Sequence, residues 1–123
     1  MNILRTAACA AIATLGFSLS AFAAPPTKMA DGVLVDTKGM TLYTFDKDSG
    51  GKSVCNGQCL VNWPALMATA ADKPEGDYTI ITRDDGSKQW AYQGKPLYTW
   101  LKDTKPGDRT GDGVNNAWRV ARP

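Results

Sequence analysis

Histidine is missing from the 123 residues, and glutamate occurs once, as Glu75. Without histidine no Ser-His or Cys-His nucleophile pair can be assembled, and the commonest ligand for transition metals is gone. With a single glutamate, a paired-carboxylate hydrolase would have to be built on aspartates, and only Asp48 and Asp103 suggest one. No glycine-rich segment follows a strand and opens a helix, as a phosphate cradle requires. A dominant charge is lacking too: 14 Lys and Arg stand against 12 acidic residues, formally +2. These basic residues are scattered, which argues against a nucleic-acid partner, since that calls for a clustered basic face. Asp103, Asp108 and Asp112 share one polar stretch, but their spacing is not that of an EF-hand loop. Met29, Met40 and Met67 could offer thioethers to Cu(I), yet they follow no motif. The sequence therefore calls for no metal and no cofactor, and for a protein that is not an enzyme.

Long apolar runs are confined to the start of the chain. Arg5 precedes an apolar run from Cys9 to Leu19, and Ser20-Ala21-Phe22-Ala23 closes it with an A-x-A pattern. That is the form of a secretory signal peptide, residues 1–23; the run is shorter than the roughly 20 residues a membrane span needs. Thr6-Ala7-Ala8-Cys9 has no apolar run ahead of it and fails as a lipidation box. Cleavage leaves roughly 100 residues, the size of one small domain, with no membrane insertion and a periplasmic or secreted location. Cys9 goes with the leader, leaving Cys55 and Cys59 as an even pair in an oxidising compartment. A disulfide across Cys55-Asn56-Gly57-Gln58-Cys59 would stabilise by about 2 kcal/mol. The alternative is a redox couple, although the spacing is one longer than C-x-x-C and no βαβ pattern surrounds it.

The mature chain reads as mainly β: a small single domain of two pseudo-symmetric β-hairpin repeats with one short helical turn. Residues 24–31 are expected to form a mobile tail and residues 32–123 the domain, with repeats over about 32–70 and 77–123. Val33–Val35, a turn at Asp36–Gly39 and Met40–Asp46 suggest the first hairpin. In the second of these strands Tyr43 and Phe45 share a face, which is expected to be the buried one. Gln58 to Asn62 suits a helical turn, stopped by Trp63-Pro64. Tyr78–Arg83, Gln89–Tyr92 and Leu97–Leu101 read as a meander, and Trp118–Arg122 as a last strand.

The repeat is visible as Gly39-Met40-Thr41-Leu42-Tyr43-Thr44-Phe45-Asp46-Lys47-Asp48 against Gly94-Lys95-Pro96-Leu97-Tyr98-Thr99-Trp100-Leu101-Lys102-Asp103. Tyr43 and Tyr98, Phe45 and Trp100, Asp48 and Asp103, and Trp63 and Trp118 all differ by 55. Neither half can bury its apolar face alone, so the two are expected to stack face to face. Positions i and i+5 of a strand point to opposite faces, so Tyr and Asp of one motif cannot form a simple pair. Two readings of the aspartates stay open: turn residues that hold the fold, or two loops meeting to form a polar site. Of the four tryptophans most should be core, with Trp90 or Trp100 the candidates for an exposed aromatic platform.

With these residues in view, the chain resembles the bacterial exported proteins built from tandem repeats with a Tyr-x4-Asp motif. Tyr43 with Asp48 and Tyr98 with Asp103 match that motif. Cys55-Asn56-Gly57-Gln58-Cys59 followed by Trp63-Pro64 is similar to the family's C-x-G-x-C…W-P segment, and Gly111-Asp112-Gly113-Val114 leading to Trp118 to its ending. The resemblance implies an exported protein of the secreted-repeat lipoprotein type with no assigned activity. Two departures stand out: no lipidation cysteine, and Arg119 where relatives often carry His or an aromatic residue. The resulting expectation is a monomeric, non-enzymatic binding or accessory protein of the cell envelope, whose partner is an unidentified envelope protein or small ligand. Its motif and binding candidates are Tyr43, Phe45, Asp48, Tyr98, Trp100, Asp103, Trp63 and Trp118. The alternative is a periplasmic redox or metal accessory protein using Cys55, Cys59 and methionine side chains.

Overall fold

The computed structural model describes residues 25–123; the segment expected to be a signal peptide, residues 1–23 with Cys9, lies outside the described residues. Among the described residues, eight short strands, one helical turn and one 3-10 turn make up a mainly-β domain. The segment expected to be a mobile tail instead supplies β1 (Thr27–Ala30), which pairs antiparallel with β2 (Val33–Asp36). The reason lies in Asp31-Gly32. Both take positive φ, 49° and 80°, as a two-residue type I′ hairpin turn requires, and Asp-Gly is among the strongest short hairpin signals. The hairpin expected between β2 and the following segment exists only in part, as a bridge from Val35 to Thr41.

β3 (Tyr43–Phe45) is followed by a polar loop, then α1 (Gln58–Asn62), β4 (Met67–Ala68), β5 (Tyr78–Thr82) and β6 (Lys88–Tyr92). β6 pairs with both β4 and β5 and, through a turn at Gln93-Gly94, with β7 (Lys95–Pro96). The 3-10 turn Val114–Asn116 leads into β8 (Trp118–Val120).

The halves do not simply stack; they exchange strands. β8, from the second repeat, pairs with β3 of the first, with Tyr43 opposite Val120 and Phe45 opposite Trp118. In the mirror-image contact, Tyr98 of the second repeat bridges Ala65 of the first. At the centre Tyr43 and Tyr98 face each other and trade backbone hydrogen bonds of 2.8 and 2.9 Å. The two tyrosine segments thus run side by side through the middle of the molecule.

This explains a second departure from expectation. On β3 and its surroundings not one face but both are buried: Leu42 and Tyr43 are each fully enclosed. Tyr43 and Tyr98 point into a core with Val33, Val35, Cys55, Trp63, Trp118 and Val120. Leu42 and Leu97 point the other way, into a second core with Leu34, Trp90 and Ala121. Trp90, a candidate for an exposed platform, lies in that second core at 1% exposure.

Candidate functional site: crossed Tyr–Asp clasps around a tryptophan stack

The motif residues converge, but across the repeats rather than within them. Tyr43 donates its hydroxyl hydrogen to Oδ2 of Asp103 at 2.6 Å, and Tyr98 donates to Oδ2 of Asp48, also at 2.6 Å. Within each motif a turn, closed by Asp48 N–H to the Phe45 carbonyl at 3.0 Å and by Asp103 N–H to the Trp100 carbonyl at 3.1 Å, separates the tyrosine from the aspartate, and the partner comes from the other repeat. Short O–H···O⁻ bonds of this kind are stronger than neutral ones, and each ties one half of the chain to the other.

The two clasps are satisfied differently. Asp103 is buried, and its Oδ1 accepts bonds from the Thr110 backbone N–H at 3.0 Å and hydroxyl at 2.7 Å. The Tyr43 oxygen accepts the Gly111 N–H at 3.1 Å. Asp48 is partly exposed, and its Oδ1 accepts the Val54 N–H at 2.8 Å. The Tyr98 oxygen is 2.6 Å from Ser53 Oγ. Since Tyr98 spends its only hydrogen on Asp48, Ser53 must be the donor.

Behind Ser53 lies Arg83, 3% exposed, which sequence reasoning missed. Its Nη1 donates to Ser53 Oγ and to Gln89 Oε1, each at 2.7 Å, and its Nη2 donates to the Cys55 carbonyl and to Asn56 Oδ1 at 2.9 Å. Donation therefore runs one way, from guanidinium to serine to tyrosine to carboxylate. Nothing in the local sequence signals this: Arg83 lies just after β5 and before an Asp-Asp-Gly turn, where an arginine is ordinarily exposed. Buried guanidinium needs its donors satisfied, and here the disulfide loop supplies two of the acceptors. Cys55 and Cys59 are joined in a disulfide, and Cys55 is completely buried.

Burial raises both phenols well above the ordinary tyrosine value, and the neighbouring carboxylates add to it. Both tyrosines stay protonated and act as donors. Burial also raises Asp48, against the opposing hydrogen bonds of Tyr98 and Val54 and the charge of Arg83. A raised folded value means that ionised Asp48 carries a cost in the folded state, present at neutral pH and relieved as pH falls through that value towards the unfolded one. Asp48→Asn, which cannot ionise, should lose this term. In melts recorded from neutral to mildly acidic pH, the wild type should gain relative to the variant; a flat or opposite difference would count against it.

Between the clasps lies a stack of four rings in the order Trp100, Trp63, Trp118, Phe45. Trp63 and Trp118 are parallel within 2° at 3.8 Å; Trp100 covers Trp63 at 3.9 Å and Phe45 covers Trp118 at 4.2 Å. Each tyrosine meets the tryptophan of its own repeat edge-on, Tyr43 to Trp63 at 5.3 Å and Tyr98 to Trp118 at 5.1 Å. Trp100 and Phe45, at the ends, are partly exposed. All eight candidate residues thus belong to one assembly. Gly111 completes its wall: a Cβ there would lie 2.8 Å from Trp63 and 3.0 Å from Trp100. Gly111→Ala is expected to destabilise by about 1–3 kcal/mol through overpacking, read as a lower midpoint in urea with unchanged slope.

The other aspartates of the last loop do not gather. Asp108 binds the Thr104 and Lys105 N–H groups at 2.9 and 3.2 Å, and Asp112 accepts the Val120 N–H at 3.3 Å. Among the described residues no group of three His, Cys, Asp or Glu side chains could hold a metal ion. Met29 lies on β1 and Met67 on β4, in different sheets. On the outer side of the β3–β8 ribbon a groove of about 300 Å³ is lined by Thr44, Asp46, Tyr92, Lys95, Arg119 and Arg122, among others. Arg119 holds Asp46 at 3.0 Å there.

A family model described as a secreted repeat of unknown function matches residues 27–67 and again residues 79–122. The chain belongs to this family. The two matches of the secreted repeat coincide with the two halves that exchange strands, and the first begins at β1. No curated protein and no solved structure matches the chain.

Proposed function

We propose that the protein is an exported, non-enzymatic binding or accessory module of the cell envelope, periplasmic or secreted, and that it recognises an acidic ligand or the acidic face of an envelope protein. The observation that carries this reading is that the motif's own polar groups are already spent. Tyr43, Asp103, Tyr98 and Asp48 satisfy one another and the loops around them, so that none of them is left free to act on a bound substrate. Recognition then falls to the surface. The groove beside β3 and β8 offers Lys95, Arg119 and Arg122 against the single carboxylate of Asp46. It is partly concave, polar and built on paired strands, features suited to holding a charged partner in register. The thiol-based alternative draws no support from Cys55, which is fully enclosed.

The test is capture from an envelope extract by the immobilised protein, beside the variant Lys95→Glu/Arg119→Glu/Arg122→Glu. These side chains are exposed, and the one ion pair lost is a surface pair worth about 0–1 kcal/mol, so melting should barely change. The expected result is an acidic partner bound by the wild type, released by added salt and not retained by the variant. Equal retention by both proteins sinks the proposal.

A further inference from the structure

Six aromatic rings form a continuous path through the molecule, and its two branches end on phenols that share a hydrogen with a carboxylate. Trp100, Trp63 and Trp118 stack at 3.9 and 3.8 Å. Tyr43 and Tyr98 touch Trp63 and Trp118 edge-on, and each O–H lies 2.6 Å from an aspartate oxygen. Indole and phenol are the two neutral side-chain rings most easily oxidised by one electron. Rings in contact exchange an electron readily. A phenol, unlike an indole cation, becomes a stable neutral radical only if its proton has somewhere to go.

We propose that this assembly takes up one-electron oxidation at its tryptophan end and traps it on Tyr43 or Tyr98, with Asp103 or Asp48 receiving the phenol proton. The co-reactant is an outer-sphere one-electron oxidant, such as a high-potential metal complex, too large to enter the core. It removes an electron from Trp100, the only tryptophan of the stack that is more than marginally exposed. The vacancy passes by ring-to-ring electron transfer to Trp63 and Trp118. Tyr43 then gives an electron to the Trp63 cation radical while its hydrogen, as a proton, crosses to Asp103. The products are a reduced oxidant, restored indoles, a neutral tyrosyl radical and a neutral Asp103 carboxyl group, so charge and protons balance with none released to solvent. The Tyr98–Asp48 branch off Trp118 offers the same step, with a partly exposed carboxylate as the acceptor. Burial that keeps both phenols protonated at rest makes the carboxylate the only nearby base when a ring is oxidised. Phe45, at the other end of the stack, is far harder to oxidise than indole and closes the path there.

The pairing of every redox-active ring with either another such ring or a carboxylate is what a merely space-filling core does not need. The test is photo-oxidation of the protein by a soluble ruthenium polypyridyl complex with a sacrificial acceptor, with the radicals identified by electron paramagnetic resonance and transient absorption. In the wild type a neutral tyrosyl radical should follow the tryptophanyl signal. Tyr43→Phe/Tyr98→Phe keeps both rings in place and should lose the tyrosyl signal while the tryptophanyl radical persists. Asp48→Asn/Asp103→Asn should lengthen the tryptophanyl lifetime several-fold, and Trp100→Phe should lower the yield of both radicals. Near-ultraviolet circular dichroism reports whether the stack survives in each. If a double variant does not fold, each single Tyr→Phe variant is expected to lose part of the tyrosyl signal. A tyrosyl signal of full strength without Tyr43 and Tyr98, placing it on Tyr78 or Tyr92, overturns the proposal. So does a wild type in which oxidation stops on tryptophan.

Discussion

Trp118→Ala is expected to destabilise the protein by about 3–5 kcal/mol, in the range for removal of a large buried aromatic side chain. Against a typical total of about 5–15 kcal/mol, that brings the domain close to unfolding at moderate temperature. The size follows from position. Trp118 is 2% exposed, lies flat between Trp63 and Phe45, and is met edge-on by Tyr98. It also sits on β8, the strand that the second repeat lends to the first. Its removal therefore empties the shared core and weakens the pairing that joins the halves. Trp63→Ala should cost a similar amount, because Trp63 holds the equivalent place between Trp118 and Trp100. Trp100→Ala should cost less, since Trp100 is partly exposed. Urea unfolding with linear extrapolation measures all three; a loss below about 1 kcal/mol for Trp118→Ala is incompatible with a ring at the centre of the core.

Asp103→Ala carries the second large expected effect, about 2–4 kcal/mol, as several hydrogen bonds to one charged group are lost. The substitution removes the acceptor of the Tyr43 hydroxyl and of two Thr110 donors. The phenol is then left as a buried donor, which is dearer than removing both partners together. A loss of this size lowers the melting temperature of a domain this small by about 4–8 °C for each kcal/mol. Asp48→Ala should cost less, because Asp48 is partly exposed and its folded form already carries a burial cost. Two double-mutant cycles distinguish the crossed arrangement from the one that the motif suggests. Asp103→Ala with Tyr43→Phe should show a coupling of about 0.5–3 kcal/mol, the range for residues in direct contact. Asp103→Ala with Tyr98→Phe, the tyrosine of its own motif, should be additive within about 0.5 kcal/mol. The reverse result would falsify strand exchange between the repeats.

The site was legible in part. The spacing of 55 picks out Tyr43 with Tyr98, Asp48 with Asp103, Phe45 with Trp100 and Trp63 with Trp118, and these eight residues form a single assembly. The parity argument assumed one extended strand from tyrosine to aspartate, whereas β3 ends at Phe45 and turns precede both Asp48 and Asp103; which chain segment lies opposite each tyrosine was not legible. Arg83 was not legible, because a buried arginine is defined by the acceptors around it, and these come from Ser53, Cys55, Asn56 and Gln89. Thr110 and Gly111 were hidden for the same reason. β1 could have been found: Asp31-Gly32 carries the hairpin signal, but Met29 and Ala30 ahead of it make a weak strand by composition alone.

By itself the sequence determined the mainly-β class, the two-fold repeat and the eight paired positions of the assembly. These follow from local rules: alternation, turn chemistry, spacing along the chain. Only the tertiary structure decided that the halves trade strands, that both faces of the tyrosine segments are buried, and that each aspartate serves the other repeat's tyrosine. The physical reason is that each half must cover an apolar face and each buried hydroxyl must find an acceptor. Two related halves could meet both needs within one half or across two, and here the pairing of β3 with β8 and the Tyr43–Asp103 and Tyr98–Asp48 bonds meet them across two.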